Sequence, residues 1–150
     1  TAMNQLLLAL AVIVATPAAM ADVWVNPGFY SHHFDKSKDL NNNNHGFGME
    51  ATISKTYSLT AGVFENSDRQ TSHYIGAYVM PFQVGALKAG AAVGAFDGYP
   101  KMREGGWFPA ILPVMAIEGR RVGLNISYTP KIGDKLNSAL SFQVKFNIAP

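Results

Sequence analysis

The chain has 150 residues, no cysteine, a formal net charge of +2 and 15% charged residues. This length supports one domain, and the absence of cysteine excludes a disulfide scaffold and a thiolate metal site. The small net charge does not indicate nucleic-acid binding, and no Gly-rich phosphate loop, paired-His zinc motif or G-x-S-x-G elbow is present. We therefore expect no nucleic-acid partner, no metal and no cofactor.

The first 21 residues have the pattern of a signal peptide. An apolar run from Leu6 to Ala15 precedes Ala19-Met20-Ala21, a small-x-small cleavage signature. The run is too short to cross a bilayer as a helix, and the alternative interpretation is a buried helix. We expect residues 1–21 to be a signal peptide and residues 22–150 to form the domain.

Eight segments of the remaining chain have the alternation of β-strands. In the last of them, apolar residues at the even positions from Leu140 to Ile148 alternate with polar residues at the odd positions. Because successive strand side chains point to opposite faces, this segment has one apolar and one polar face. The predicted strands are Trp24–Phe34, His45–Ile53, Tyr57–Asn66, Ser72–Met80, Leu87–Phe96, Phe108–Glu118, Arg121–Tyr128 and Ala139–Ile148.

The connections between these segments alternate in length. Residues 54–56, 81–86 and 119–120 form short connections, and residues 35–44, 67–71, 97–107 and 129–138 form longer, more polar ones. Short turns on one rim and longer loops on the other are typical of outer-membrane barrels. The sequence therefore predicts an all-β fold, an eight-stranded antiparallel up-and-down transmembrane β-barrel, with both ends on the short-turn side.

Charged residues within the strands indicate which face is inside. Glu50, Lys88 and Lys145 each share a strand face with small or polar residues, and the opposite faces are apolar. A charge on the lipid-facing surface near mid-membrane costs about 2–4 kcal/mol, so we expect these three residues in the lumen and the face from Phe142 to Phe146 against lipid. A soluble lipocalin-like barrel would be reversed, but its water-facing surface should carry more charge.

Histidine and serine side chains converge at the long-loop rim. The first predicted strand ends at His32-His33, and the third ends at Glu65-Asn66-Ser67. Neighbouring strands lie about 4.8 Å apart, so these ends should be roughly 10 Å apart with only the second strand between them. A His base beside a Ser hydroxyl provides the groups needed for acyl transfer, whereas the alternative is that they are ordinary interfacial residues.

The predicted lumen face is not bulky. Gly90, Ala92 and Gly94 would leave space for a slender molecule such as an acyl chain. Alternatively, glycines relieve crowding in a coiled barrel and pack against Tyr74 and Tyr78, two further candidates for contact with substrate. The sequence leaves both interpretations open.

Several short motifs occur in an order found in a known family. They are Pro27 before the histidines, a charged and Asn-rich loop, Gly46-Phe47-Gly48, Gly62-Val-Phe-Glu-Asn-Ser67, Ile75-Gly-Ala-Tyr78, Pro109-Ala-Ile-Leu-Pro113 and Tyr128-Thr-Pro130. Together they resemble the PagP family of lipid A palmitoyltransferases, which are eight-stranded outer-membrane barrels. The similarity covers nearly all of residues 22–150, although each motif is short.

The resemblance implies positions for the catalytic residues. The family's histidine falls on His32 or His33: counting from Pro27 and strand alternation favour His32, whereas the following Phe34 favours His33, which we select. The family's serine falls on Ser67, and its aspartate becomes Asn66. Asparagine can orient an imidazole but cannot stabilise an imidazolium by charge, so Asp68 or Glu65 are alternative sources of that charge. The family's amphipathic helix before the first strand is not found.

The resemblance also implies a function. A bacterial outer-membrane enzyme would move an acyl chain from phospholipid to lipid A of lipopolysaccharide, with the chain held beside Gly90, Ala92 and Gly94. Basic loop residues, among them Lys101 and Arg103, would bind lipid A phosphates, or would simply be solvated. We expect a monomer. The alternatives are a non-enzymatic surface barrel for adhesion, shielding or ligand binding, and a lipid A deacylase.

Overall fold

The computed structural model describes residues 22–133 and 136–149, and it contains eight antiparallel strands. They are β1 Val23–His33, β2 Asn43–Thr52, β3 Tyr57–Glu65, β4 Thr71–Val84, β5 Leu87–Phe96, β6 Phe108–Glu118, β7 Val122–Thr129 and β8 Ala139–Asn147. Each strand pairs with the next, and β8 pairs with β1, so the sheet closes into an up-and-down barrel. The predicted fold is confirmed. The predicted signal peptide, residues 1–21, lies outside the described residues.

Strand β4 is longer than predicted. The sequence suggested that it ends at Met80 before a connection at residues 81–86, but β4 continues through Pro81 to Val84. Its pairing with β5 shifts register between Val79 and Phe82. Because such a bulge leaves a residue outside the regular ladder, the missing amide hydrogen of Pro81 does not end the strand. The turn then needs only Gly85 and Ala86, and Gly85 has a φ of +59°.

The two rims of the barrel differ as predicted. Near the short turns, Asn147 Nδ2 donates a hydrogen bond to Asp22 Oδ1 at 2.8 Å, and the Ile148 amide donates one to the Val23 carbonyl at 2.8 Å. Both ends of the described barrel therefore lie at the short-turn rim. The longer connections, which include a 3₁₀ turn at Arg103–Gly105, lie at the opposite rim.

The outer face of the barrel is apolar and the lumen encloses the charges. Large hydrophobic side chains are exposed on every strand, among them Phe47, Leu59, Ile75, Val93, Ile111, Val122, Val144 and Phe146. In contrast, Glu50 and Lys145 are buried, and Lys88 is partly buried. The predicted orientation is confirmed. No helix among residues 22–133 and 136–149 is long and apolar enough to cross a membrane, an observation that concerns helices alone.

An ion-pair network, formed by Glu50, Lys88, Glu118 and Lys145, fills the lumen near the short turns. Lys145 Nζ lies 3.0 Å from Glu50 Oε1 and 2.5 Å from Glu118 Oε2, and Lys88 Nζ lies 2.9 Å from Glu118 Oε1. Lys145 Nζ also lies 4.6 Å from the centroid of the Trp24 ring. Two cations and two carboxylates therefore compensate each other inside the barrel, as buried charges require.

Candidate active site at the long-loop rim

The side-chain alternation of β1 changes phase partway along the strand. Trp24 and Asn26 are buried in the first half, and Ser31 and His33 are buried in the second half. The pairing of β1 with both neighbours shifts register around Gly28. Because a one-residue shift exchanges the two faces of a strand, the shift turns His33 into the lumen.

His32 consequently lies on the outer face. Its ring is exposed, lies 5.4 Å from the Phe34 ring and has Lys36 Nζ 3.4 Å from its Nδ1. Alternation counted from Pro27 favoured His32 as the inward residue, and the register shift reverses that expectation. Of the two candidate catalytic histidines, His33 is therefore the one that faces the lumen.

Both ring nitrogens of His33 have hydrogen-bond partners. Nε2 lies 2.7 Å from Ser67 Oγ, and Nδ1 lies 2.7 Å from Asn42 Oδ1. The residue His33 is 3% exposed. The structure therefore brings together the predicted pair, His33 and Ser67, at the distance that general-base activation of a hydroxyl requires.

Contacts between the first two long loops hold Ser67 and Asn42 in place. The Asn41 amide donates to the Ser67 carbonyl at 3.0 Å, and Asn44 Nδ2 donates to the Glu65 carbonyl at 2.8 Å. The Ser31 amide donates to the Asn42 carbonyl at 2.9 Å. Backbone atoms on both sides of the site are thus bonded across the rim, so that His33, Asn42 and Ser67 sit on connected segments.

Asn66 does not orient His33, which corrects one prediction. Its amide nitrogen donates to Ser72 Oγ at 2.9 Å and to the Gly98 carbonyl at 2.8 Å. Its Oδ1 accepts from the amides of Asp68 and Gln70 at 2.9 and 3.1 Å. The Asn66 side chain is therefore fully occupied in shaping the loop that presents Ser67, and Asn42 takes the orienting position.

The alternative acidic residues also lie elsewhere. Glu65 is exposed and its Oε1 accepts a hydrogen bond from Asn41 Nδ2 at 2.9 Å. Asp68 is exposed at the mouth of the cavity described next. Among the hydrogen bonds of the described residues, neither carboxylate contacts the imidazole, so its direct partner is the neutral amide of Asn42.

An apolar cavity lies directly below Ser67. Its volume is about 80 Å³, counted over positions that the centre of a water molecule can occupy. Ser67 and Asp68 line its rim end. Apolar side chains provide most of the lining surface, among them Phe29, Phe64, Phe96, Phe108 and Leu112, and polar side chains such as Ser31, Asn44, Asn137 and Ser141 complete it. Tyr99 also borders it and lies 5.9 Å from the Phe108 ring. Burial raises the pKa of the Tyr99 phenol, so Tyr99 is a neutral hydroxyl there.

The wall of the barrel is incompletely paired beside this cavity. Within the described residues, β6 and β7 are paired only from Val114–Ser127 to Glu118–Gly123. The preceding part of β6, which contains Pro109 and Pro113, pairs only with β5. Ala110 and Leu112 on one side of this gap and Thr129 on the other line the cavity, as does Ser127 at the last paired position. The cavity is therefore bordered by a stretch of wall in which β6 and β7 are not paired with each other.

The predicted substrate-contact residues lie mainly outside the cavity. A Cβ built on Gly90 would collide with the Val79 carbonyl, and one on Gly94 would collide with the Ile75 carbonyl. These glycines allow close approach between β4 and β5, which supports the crowding interpretation over the one that they leave space for an acyl chain. Ala92 instead packs against the buried cluster around Tyr78.

The other predicted contacts are distributed over the barrel. Tyr74 is buried, and its ring centroid lies 5.9 Å from that of Phe64 and 6.0 Å from that of Phe96. It therefore packs against aromatic side chains that line the cavity. Tyr78 lies deeper and borders the small space near the ion-pair network. Lys101 and Arg103 are exposed in the connection between β5 and β6, away from the cavity lining.

The rim also carries a His–carboxylate pair that the sequence did not predict. His73 Nδ1 lies 3.0 Å from Asp97 Oδ1, and both side chains are largely buried on adjacent strand ends at the long-loop rim. The pair faces away from the cavity, because Ser72 and Phe96 next to it face the lumen. No group of three or more His, Asp or Glu side chains among the described residues is arranged to hold a metal ion.

These features define a class of protein. A closed ring of paired strands satisfies the strand hydrogen bonds without water except at the gap between β6 and β7, and an apolar exterior around a polar lumen matches a bilayer. The protein is an eight-stranded transmembrane β-barrel.

Comparison with solved structures agrees with this class. A structure described as "De novo design of transmembrane beta-barrels" has a TM-score of 0.61 and 11% identity, covering 86% of this chain and 97% of that one. The solution NMR structure of the de novo designed TMB2.3 also has a TM-score of 0.61, with 15% identity, 88% coverage of this chain and 98% of that one. These similarities concern the fold alone. No family model and no curated protein matches the sequence.

Proposed function

We propose that the protein is a bacterial outer-membrane acyltransferase that moves an acyl chain from a phospholipid to lipid A. The observation that carries the proposal is the 2.7 Å contact between His33 Nε2 and Ser67 Oγ at the mouth of an apolar cavity. A hydroxyl beside an imidazole is the arrangement used for acyl transfer, and an apolar cavity is a suitable place for a hydrocarbon chain.

The gap between β6 and β7 supports a membrane lipid as donor. It borders the cavity and occurs where the outer face is apolar, with Ile111 exposed on the same stretch. An acyl chain already in the membrane would reach the cavity through this wall without passing through water. The ester at the head of that chain would then lie at the level of the long-loop rim, close to Ser67.

Lipid A as acceptor is supported by the resemblance to the PagP family and by the rim that carries the site. The long-loop rim of an outer-membrane barrel faces the outside, where lipopolysaccharide forms the outer leaflet. Lys101 and Arg103 are exposed cations on that rim, suited to the phosphates of lipid A. The departure from the family is electrostatic, because a neutral amide instead of a carboxylate contacts the imidazole.

A lipid A deacylase would use the same residues with water as the acyl acceptor. The His33–Ser67 pair is compatible with both reactions, and the identity of the acceptor separates them. A non-enzymatic surface barrel would need neither residue.

The test is mass spectrometry of lipid A from bacteria that express the full chain. We expect an additional acyl chain with the wild type and its loss with His33→Ala and Ser67→Ala. His32→Ala is the matched control for the histidine, because the neighbouring imidazole faces outward. Ser138→Ala, at the same rim but outside the His33 hydrogen bonds, is the control for the serine.

The outcomes separate the alternatives. If lipid A loses an acyl chain in cells that express the wild type, but not in cells that express His33→Ala or Ser67→Ala, the protein is a deacylase and not a transferase. Unchanged lipid A in cells that contain the folded barrel would overturn the proposal and favour the non-enzymatic function.

A further inference from the structure

We infer that the reaction passes through a covalent acyl ester on Ser67 Oγ, and that Asn42 is the positioning residue that makes Ser67 the nucleophile. This inference rests on the proposed acyl-transfer function and adds the order of its steps. It is carried by the two hydrogen bonds of the His33 ring and by the burial of that ring.

Asn42 determines the tautomer of His33. A side-chain amide oxygen can only accept, so the 2.7 Å contact with Asn42 Oδ1 requires a proton on Nδ1. In the neutral imidazole, Nε2 then carries the lone pair. The Ser67 hydroxyl therefore donates to Nε2, which is the direction in which a general base removes the proton.

The same geometry excludes direct transfer from the resting arrangement. Direct transfer would require His33 to deprotonate a hydroxyl of the acceptor lipid. However, Nδ1 is bonded to Asn42, Nε2 is bonded to Ser67, and the residue is 3% exposed. The hydroxyl that His33 can deprotonate first is therefore that of Ser67.

The two steps balance without any further reactant. Ser67 Oγ attacks the ester carbonyl of the donor while its proton moves to Nε2; the bond from carbonyl carbon to the lysolipid oxygen breaks, and that oxygen takes the proton. The acceptor hydroxyl then attacks the acyl-Ser67 carbonyl and gives its proton to Nε2. The bond to Oγ breaks, and the proton returns to Ser67.

The surroundings of Ser67 suit an acyl ester. Ser67 is partly exposed and lies at the mouth of the cavity, so a chain attached to Oγ can extend between Phe64, Phe96 and Leu112. An acceptor reaching the rim would then find Nε2 released from its hydrogen bond with the serine hydroxyl. The chain would remain in the cavity between the two steps.

The covalent step is tested with the full chain purified in detergent. The protein is mixed with palmitoyl-oleoyl phosphatidylethanolamine in the absence of an acceptor, quenched in acid and examined by intact-protein and peptide mass spectrometry. A long-chain alkyl fluorophosphonate serves as a second probe. We expect an acyl adduct and a phosphonyl adduct on Ser67, and an adduct yield or labelling rate reduced about 10²–10⁴-fold in His33→Ala.

Asn42 is tested with matched variants at adjacent positions. Asn42→Ala should slow labelling of Ser67 at least tenfold, by an order-of-magnitude estimate, because His33 loses its fixed tautomer. Asn42→Asp should restore labelling, since a carboxylate also accepts from Nδ1. Asn43→Ala, whose side chain is exposed on the next residue, should label like the wild type. Histidine ¹⁵N NMR should show the Nδ1–H form of His33 in the wild type and its loss in Asn42→Ala.

The outcomes distinguish the two proposals. If Ser67 forms adducts but lipid A is unchanged in cells, the covalent step stands and the proposal that lipid A is the acceptor is wrong. Lipid A acylation with no adduct from either probe would overturn the covalent step and leave the function intact. An Asn42→Ala protein that folds, labels normally and retains the Nδ1–H form would remove Asn42 from the mechanism.

Discussion

Removal of the Lys145 ammonium should destabilise the barrel strongly. Lys145 Nζ lies within 3.1 Å of three carboxylate oxygens, two on Glu50 and one on Glu118. In Lys145→Met, Glu118 keeps Lys88 at 2.9 Å, whereas Glu50 keeps only the neutral donors Asn125 and Ser58, at 3.1 and 3.4 Å. Most of the cost therefore falls on Glu50.

The expected magnitude follows from this uncompensated charge. Breaking a buried ion pair by removing one partner costs about 3–5 kcal/mol, and we expect this loss in the free energy of unfolding. The double variant Glu50→Gln/Lys145→Met removes both charges and leaves the pair between Lys88 and Glu118. Since a neutral, well-packed replacement of an ion pair is often tolerated, it should recover at least half of the loss.

The measurement is equilibrium urea unfolding of the full chain refolded into phosphatidylcholine vesicles, followed by fluorescence of Trp24 and Trp107. Lys55→Met, in an exposed short turn at the same rim, is the control and should change stability by less than about 0.5 kcal/mol. A Lys145→Met protein as stable as Lys55→Met would contradict the importance of this ion pair. So would a double variant as unstable as the single one.

Two further predictions use the same unfolding measurement. Val144→Arg places a charge on the outer face of β8 and should cost about 2–4 kcal/mol, whereas Val144→Leu should be nearly neutral; equal stability of the two variants would contradict a lipid-facing position. Gly90→Val should destabilise the wall by about 1–3 kcal/mol or more, because its Cβ meets the Val79 carbonyl, and it should leave acyl-chain preference unchanged. A stable Gly90→Val protein that transfers a shorter chain would restore the interpretation that Gly90 lines the substrate site.

The fold was predictable because every strand of a membrane barrel has to place apolar side chains towards lipid and small or polar side chains towards the lumen. Alternation identified the strands, and the positions of Glu50, Lys88 and Lys145 identified the lumen. The sequence did not show which residues form ion pairs with those charges. Glu118 ends β6 at the short-turn rim, and nothing in the sequence indicates that it faces inward to join Lys88 and Lys145. A residue at a strand end can face either environment, and pairing with distant strands decides which.

The candidate site was predictable in its main pair but not in its support. His33 and Ser67 follow from the strand ends and from the family resemblance. Asn42 lies in a run of four asparagines, and nothing in that run distinguishes the one that reaches the imidazole. Asn41 and Asn44 bond to other parts of the rim, so the roles of the run are determined by contacts between loops that are distant in sequence.

Glycine was the most ambiguous signal. A glycine on the lumen face can leave room for a ligand, or it can allow a neighbour to come close. Gly48 and Gly62 pack against the Tyr74 ring, and Gly90 and Gly94 face backbone carbonyls of the adjacent strand. The coiling of the sheet determines which case applies, and that geometry is not encoded in alternation.

The irregularity around Gly28 determines which of the two adjacent histidines faces the lumen. Deleting one residue there would remove the extra residue and leave Ser31 and His33 facing the lumen. Straightening β1 without a deletion would instead continue the alternation of Trp24 and Asn26 to position 32. His32 would then enter the barrel and His33 would face the membrane, with no change in the chemical identity of either residue. In this barrel, the identity of the side chains alone therefore does not specify which imidazole faces the lumen, and the spacing between Asn26 and Ser31 determines it.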